Sequence, residues 1–200
     1  QGASTKNAGF ACFGSVSELL KDLNEQSPEA VFQLVEKRLY GMQRLRKLLG
    51  DEYLEYQNLG GYEVFLKKDE ALYQSCLSNI DELNRLLFPF FNKPVFEIVN
   101  NTFGFRKVYP KVIFNAFEGQ LDTGKMMSGL LYKAHSANIT ILNNCTVSAY
   151  NDNGNSVLLE TNLGDFMTKK LVIATNGFAK HLGIKGCTPA RAQVLITKPI

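Results

Sequence analysis

No two cysteines in this sequence stand at the two-residue spacing of a zinc or redox motif, and only His135 and His181 could supply an imidazole. A metal centre is therefore not expected. Dense basic blocks are missing too: Lys67-Lys68 and Lys169-Lys170 are doublets, and the net charge is only +3. Such doublets usually solvate a strand or loop end, so neither nucleic acid nor an anionic membrane surface is an expected partner. No apolar run approaches the ~20 residues of a membrane helix, and no signal-peptide pattern is present. What remains is a chain of 200 residues, 45% hydrophobic and 20% charged, enough to bury a core. Cys12, Cys76, Cys145 and Cys187 are expected to be reduced thiols of a cytoplasmic protein. In that setting the glycosylation spacings at Asn138 and Asn144 carry no meaning.

Periodicity then places the elements. A short helix is expected over residues 16–23, and a longer one after Ser27, with Pro28 in its first position and Glu29 favouring the dipole. Val31, Leu34, Val35, Met42, Leu45 and Leu49 form its apolar stripe, and Gly50 closes it. Gly60-Gly61, flanked by residues 53–59 and 62–66, reads as a two-residue hairpin. Asp69 precedes a helix with Leu72, Cys76, Leu77, Ile80, Leu83 and Leu87 on one face, expected to end at Pro89. Strands are expected over 95–99 and 108–116, a third helix after Asp122, and further strands over 140–142, 146–150, 156–161, 167–174 and 192–197. Residues 1–25 and about 118–183 read as parts of an α/β nucleotide-binding unit. Residues 51–117 read as an antiparallel sheet with packed helices. The opening loop at Gln1 and the bare β-branched run that stops at Ile200 suggest an internal piece of a longer chain.

Four stretches could carry chemistry. In Gly2-Ala3-Ser4-Thr5-Lys6-Asn7-Ala8-Gly9-Phe10, small residues let the backbone approach a large ligand, and hydroxyls with exposed amides suit phosphate oxygens. An ordinary loop before a helix is the alternative. Gly9 and Gly14 have the interval of a Walker loop, but Ser15-Val16 stands where Lys-Ser/Thr is needed. Glu118-Gly119-Gln120-Leu121-Asp122 is explained by a turn plus an N-cap. Leu171-Val172-Ile173-Ala174-Thr175-Asn176-Gly177 is a β-run breaking into small residues, which suits either a ligand at a strand end or a tight turn. Arg191, in Pro189-Ala190-Arg191-Ala192-Gln193, could meet a carboxylate or phosphate, or simply a surface acid.

The order and spacing of these stretches, with Val147 in a β-run between the second and third, resembles the FAD-dependent D-amino-acid-oxidase-like family, which includes glycine and sarcosine oxidases. The resemblance implies a mixed α/β fold: a partial Rossmann-like FAD-binding domain of the glutathione-reductase type plus an antiparallel-sheet substrate domain. The expected boundaries are residues 1–50 for part of the FAD side with helices, 51–117 for the substrate side, 118–183 for the FAD side continued, and 184–200 for a return to the substrate domain. By the same resemblance, Ser4, Thr5, Asn7, Ala8 and Gly9 run past the FAD pyrophosphate towards the flavin ring. Val147 meets the adenine, and Ala174, Thr175, Asn176 and Gly177 turn beside the pyrophosphate. Arg191, Tyr53 and Tyr62, with Tyr56 and Arg106, lie towards the substrate. No catalytic acid or base is named, because the cofactor performs the redox step. The implied reaction oxidises the C–N bond of an amine or amino acid: hydride passes to flavin and the resulting imine hydrolyses. No Gly-x-Gly-x-x-Gly occurs in the sequence. That phosphate loop is expected before Gln1, and the chain by itself is expected to hold FAD weakly or not at all and to be inactive. Two alternatives stand beside this one: the flavin domain of a tRNA-modifying oxidase, and a non-catalytic α/β interaction module.

Overall fold

The computed structural model describes residues 3–186 and 193–196. In chain order the elements are β1 (Phe10–Ala11), α1 (Val16–Glu25), α2 (Pro28–Leu49), α3 (Asp51–Leu54), β2 (Gly61–Glu63), α4 (Glu70–Phe91), β3 (Phe96–Asn100), β4 (Lys111–Asn115), β5 (Gly119–Gln120), α5 (Thr123–Ser136), β6 (Val147–Asp152), β7 (Val157–Thr161) and β8 (Phe166–Thr168). A 3-10 turn over Ala3–Thr5 precedes them, and another, Asn176–Leu182, follows. The chain divides into two compact units, one ending at Ala134 and one spanning His135–Ile196. Among the described residues, every strand pairing between these elements is antiparallel.

In the first unit, short polar caps set the helix starts. Ser15 and Glu18 form a capping box: the Glu18 N–H donates to Ser15 Oγ at 3.4 Å, and the Ser15 N–H to Glu18 Oε2 at 3.1 Å. Together they satisfy two amides that the first turn leaves without partners. Ser27 caps α2 through the Ala30 N–H at 3.3 Å, with Pro28 in the first turn, and Gly50 ends the helix as expected. Asp122 caps α5 by accepting the Lys125 N–H at 2.8 Å. Asp69 stands before α4 but makes no cap bond with its side chain. Pro89 does not end α4, which runs on to Phe91 and stops at Asn92 in the left-handed region. A proline so close to a helix end forfeits one backbone bond, and only two further residues follow it in the helix.

The apolar stripes of α1, α2 and α4 close on one another and on β3. Phe13, Val16, Leu19, Val31, Val35, Leu83 and Leu87 have no exposed surface there. The sheet runs β2-β4-β3, with Ile98 opposite Ile113 and Phe96 opposite Asn115. Opposed residues share a face and alternate residues return to it, so Phe96, Ile113, Asn115, Gly61 and Glu63 lie on one face. Phe96 and Ile113 carry that face into the helical core.

The Gly-Gly hairpin does not form. Residues 51–54 are helical, and β2 pairs with β4, more than forty positions later in the chain. Gly60 takes a left-handed φ of 77°, and a Cβ there would strike the Phe114 ring and the Asn115 carbonyl; one on Gly61 would strike the Glu118 carboxylate. The glycines serve a close long-range approach, not a turn.

The second unit is the meander β6-β7-β8. Its turns follow the sequence: Asn153 Oδ1 accepts the Ser156 N–H at 2.8 Å, and Thr161 Oγ1 accepts the Leu163 N–H at 3.1 Å. Three expected strands are absent or shorter. Residues 140–142 and 193–196 are not strands, and 167–174 contracts to β8. A β-branched run needs a neighbour to satisfy its amides, and among the described residues no strand pairs with these stretches.

The core sets the first testable outcome. Leu83→Ala removes a fully buried side chain and is expected to cost about 3 kcal/mol in urea denaturation. Leu72, expected on the same face, instead stands 48% exposed in the first turn of α4, where Tyr73 is buried in its place, so Leu72→Ala is expected to stay within about 0.5 kcal/mol of the parent. Equal losses would contradict the assigned helix face.

Candidate functional site

The small-residue loop is tied down at both ends. Asn7 bridges it internally, donating from Nδ2 to the Ser4 carbonyl at 2.7 Å and accepting the Gly9 N–H on Oδ1 at 2.8 Å. The Gly9 carbonyl then accepts the Leu121 N–H at 2.9 Å. Immediately afterwards β1 pairs with β5, Phe10 opposite Gln120 and Ala11 opposite Gly119. Gln57 joins the outer side of β5, exchanging both backbone bonds with Gln120 at 2.9 Å. Gly9 has a φ of 75°, and a Cβ there would collide with the Leu121 carbonyl. The loop can lie against Leu121 only because residue 9 is glycine.

This arrangement opens a cavity of about 440 Å³, walled by the loop from Asn7 to Cys12 and by Gly41, Met42, Leu45, Leu121 and Met126. Its size falls within the ~300–1,000 Å³ of small-molecule sites. One side offers backbone and an amide side chain; the other is apolar. Nothing lies within 4 Å of where a Gly41 side chain would start, so α2 leaves room at that point. These residues suit one planar part of a large cofactor, and the volume is too small for a whole dinucleotide. Cys12 belongs to the same wall; the residue is exposed overall, and partial desolvation of its thiol, followed by the Glu118 charge, raises it above the usual range.

A second cavity, of about 130 Å³, is lined by Ser15, Val16, Gly61, Tyr62, Glu63, Phe96, Ile113, Asn115 and Glu118. Burial above all, and then the negative charges of Glu18 and Glu63, push the Glu118 carboxyl up to about 7, with the Asn115 amide acting the other way. The Glu63 carboxylate accepts the Ser17 N–H at 3.3 Å, at the start of α1, where the helix favours an anion. Sequence reading took Glu118 as part of a turn. Its burial depends on Gly61 and on α1, neither of which is near it in sequence.

Of the residues expected to meet cofactor, Asn7, Ala8 and Gly9 line the larger cavity, and Ser4 joins them through Asn7. Thr5 ends the 3-10 turn that leads in. In the second unit, Val147 opens β6 beside a register shift, opposite Thr161. Ala174 and Thr175 are exposed, and Asn176 and Gly177 begin the 3-10 turn that packs on β6. Fold therefore brings the 176–177 turn to the strand that carries Val147. Tyr53 and Tyr62 do not share a cavity: Tyr53 faces Leu48, Leu49, Gly129 and Tyr132, while Tyr62 lines the Glu118 cavity and packs on Phe103 and Phe114. Tyr56 lies under the Arg46 guanidinium at 4.0 Å, and Arg106 is exposed. Arg191 lies outside the described residues. Among those described, no group of His, Cys, Asp or Glu is arranged to hold a metal, no helix is long and apolar enough to cross a membrane, and Cys12, Cys76 and Cys145 are free.

The profile of the family DAO, FAD dependent oxidoreductase, matches residues 1–200. No curated protein sequence matches the chain. Among solved structures, glycine oxidase from Geobacillus kaustophilus is similar at a TM-score of 0.60 and 20% identity, over 92% of this chain and 48% of that one. Iminodiacetate oxidase from Chelativorans sp. BNC1 is similar at 0.61 and 16% identity, over 90% and 47%. L-amino acid deaminase from Proteus myxofaciens is similar at 0.59 and 16% identity, over 90% and 38%. The chain thus spans under half the length of each, and at these identities the likeness is one of fold.

Two outcomes follow from the geometry. Gly9→Ala is expected to destabilise the fold by about 1–3 kcal/mol, from the left-handed φ and the collision with Leu121, whereas Gly154→Ala has a comparable φ of 86° but open space and should cost less in the same unfolding assay. The folded state holds the Glu118 proton up to about 7, against 4.5 for an unconstrained glutamate, so ionisation opposes folding as the pH climbs between those values. Glu118→Gln should therefore gain stability relative to the parent as the pH is raised from about 5 to about 8; a pH-independent difference in denaturation midpoint would contradict this.

Proposed function

The chain belongs to the DAO family of FAD dependent oxidoreductases, and from that premise we propose that it forms part of an enzyme oxidising the C–N bond of a small amine or amino acid. The carrying observation is the cavity built by Asn7, Ala8 and Gly9 against Leu121, in a chain whose fold resembles glycine oxidase and iminodiacetate oxidase. Bound FAD supplies the hydride acceptor. This chain's own residues supply shape and a fixed wall. Asn7 locks the loop through two hydrogen bonds, so the backbone of Ala8 and Gly9 presents a preorganised edge to a planar ring. Met42, Leu45, Leu121 and Met126 line the other side with apolar groups, against which a planar ring would bury apolar surface.

The rest of the assignment belongs to the same proposal. Residues 1–25 and 118–183 serve the cofactor, with Val147 towards the adenine and Ala174, Thr175, Asn176 and Gly177 towards the pyrophosphate. Residues 51–117 serve the substrate, with Tyr53, Tyr62 and Arg191 on that side. A cytoplasmic location agrees with the free thiols of Cys12, Cys76 and Cys145.

The protein, purified with its full chain, is expected to show the two visible absorption bands of bound flavin and to lose them on anaerobic addition of a small amine or amino acid. Gly41→Leu fills the open space beside α2 and should lower FAD affinity about tenfold, the equivalent of ~1.4 kcal/mol, while leaving the unfolding midpoint near the parent's. A parent that takes up no flavin on reconstitution would overturn the proposal.

A further inference from the structure

One corner of the fold governs how far apart the walls of the larger cavity stand. On one side that cavity meets Gly41, Met42 and Leu45 of α2, and on another Leu121 and Met126. Residues 51–58 form a strap between these two walls. At its far end the Leu54 carbonyl accepts the Asp122 N–H at 2.9 Å, and Gln57 exchanges both backbone bonds with Gln120. Asn58 Nδ2 donates to the Ala116 carbonyl at 3.0 Å, and the Glu55 carboxylate pairs with Lys125 of α5 at 2.5 Å. The strap is thus fastened to the segment that carries Leu121 and Met126. At its near end it leaves α2 through Gly50, which has a φ of 86° and nothing within 4 Å of where a side chain would start. Glycine imposes no steric preference of its own on that bend.

Arg46 spans the bend. Its Nε donates to Asp51 Oδ1 at 2.8 Å and its Nη2 to Asp51 Oδ2 at 2.6 Å, while the same guanidinium lies 4.0 Å over the Tyr56 ring. Two parallel bonds and a ring face fix both the place and the tilt of a planar group, which a single point charge does not. Tyr56 carries that position onward, because its ring end reaches Gly119 of β5, where a Cβ would stand 3.0 Å from the tyrosine Cζ. Arg46 follows directly on Leu45 of the cavity wall but does not itself line the cavity. The ion pair is open to solvent, with 35% and 48% of the two side chains exposed, so it adds little to overall stability. What it does add is a fixed angle between two walls of one cavity. We propose that Arg46 is a positioning residue: with Asp51 and Tyr56 it sets the spacing of α2 from Leu121, and so the fit of a flat ring between them. That the ring is a flavin rests on the function proposed above.

The test compares the protein, with its full chain, to Arg46→Met, Arg46→Lys, Tyr56→Leu and Tyr56→Phe. Three quantities are read: FAD affinity from the quenching of flavin fluorescence, the urea midpoint, and amide exchange of the flavin-free proteins. Arg46→Met is expected to weaken FAD about tenfold while its urea midpoint stays near the parent's. Its flavin-free form should exchange faster at Gln57, Gln120 and Asp122, whose amides make the far bonds of the strap. Arg46→Lys keeps the charge but loses the fork, and should weaken FAD as much as methionine does. Tyr56→Leu removes the ring and should also weaken FAD, whereas Tyr56→Phe keeps it and should bind FAD as the parent does. Unchanged exchange in Arg46→Met, or Arg46→Lys binding FAD as the parent does, would overturn the proposal. So would a loss of affinity matched by a fall in the urea midpoint, or by failure of the Arg46 variants to fold, since either marks a general structural role. A parent that takes up no flavin would sink the flavin reading instead, and the exchange measurements would then decide by themselves whether Arg46 sets the spacing.

Discussion

The hydrogen bond from the Leu121 N–H to the Gly9 carbonyl, at 2.9 Å, is the constraint on which the candidate site depends. It joins a loop at the start of the chain to the entry of α5, and the ladder of β1 with β5 extends it on one side. Glycine at position 9 is what allows the contact, since any side chain there meets the Leu121 carbonyl. Once the join is made, Ala8 and Gly9 cannot swing away, and Met42 and Leu45 of α2 face a wall of fixed shape. The same short ladder places Glu118, just before β5, among Gly61, Glu63 and Ser15. Both cavities thus inherit their geometry from a few residues brought together across more than a hundred positions.

Packing explains why so small a ladder suffices. Two residues per strand cannot hold themselves in water. Gln57 adds a third line of backbone bonds, and its carbonyl would stand 2.5 Å from a Cβ on Gly119. Behind the ladder, Phe13 packs on Phe91, and Phe91 on Phe117, at ring separations of 5.3 and 4.1 Å. These rings fasten the segments that flank β1 and β5 to the helical core. The affinity of the site for a flat ligand would then come from preorganisation more than from strong individual contacts.

Local signals in the sequence carried most of the helices. Ser27 with Pro28, Asp122, and the stripe from Cys76 to Leu87 mark elements whose stabilising contacts lie within one turn or along one face. The small-residue loop was legible as well, because Asn7 and Gly9 act on their immediate neighbours. What escaped was set by distant partners. Gly60 and Gly61 have the local look of a hairpin, yet they make room for Phe114 and Glu118. Leu171 to Ala174 has the composition of a strand, but composition does not supply the neighbour that a strand requires. Glu118 looked like part of a turn, and its raised pKa arises from burial under residues some fifty to one hundred positions earlier. Tyr53 and Tyr62 read alike as strand tyrosines, although one packs on Gly129 of α5 and the other on Phe114 of β4.

The central claim is that the loop from Asn7 to Cys12, held by Leu121, forms a wall of the flavin site. Amide hydrogen exchange of the protein, measured with and without saturating FAD, addresses it most directly. The account predicts slower exchange over residues 7–12 and at Leu121 when FAD is bound, with the outward turn at Asn153 and Gly154 unchanged. FAD binding that leaves residues 7–12 exchanging as in the free protein would contradict it.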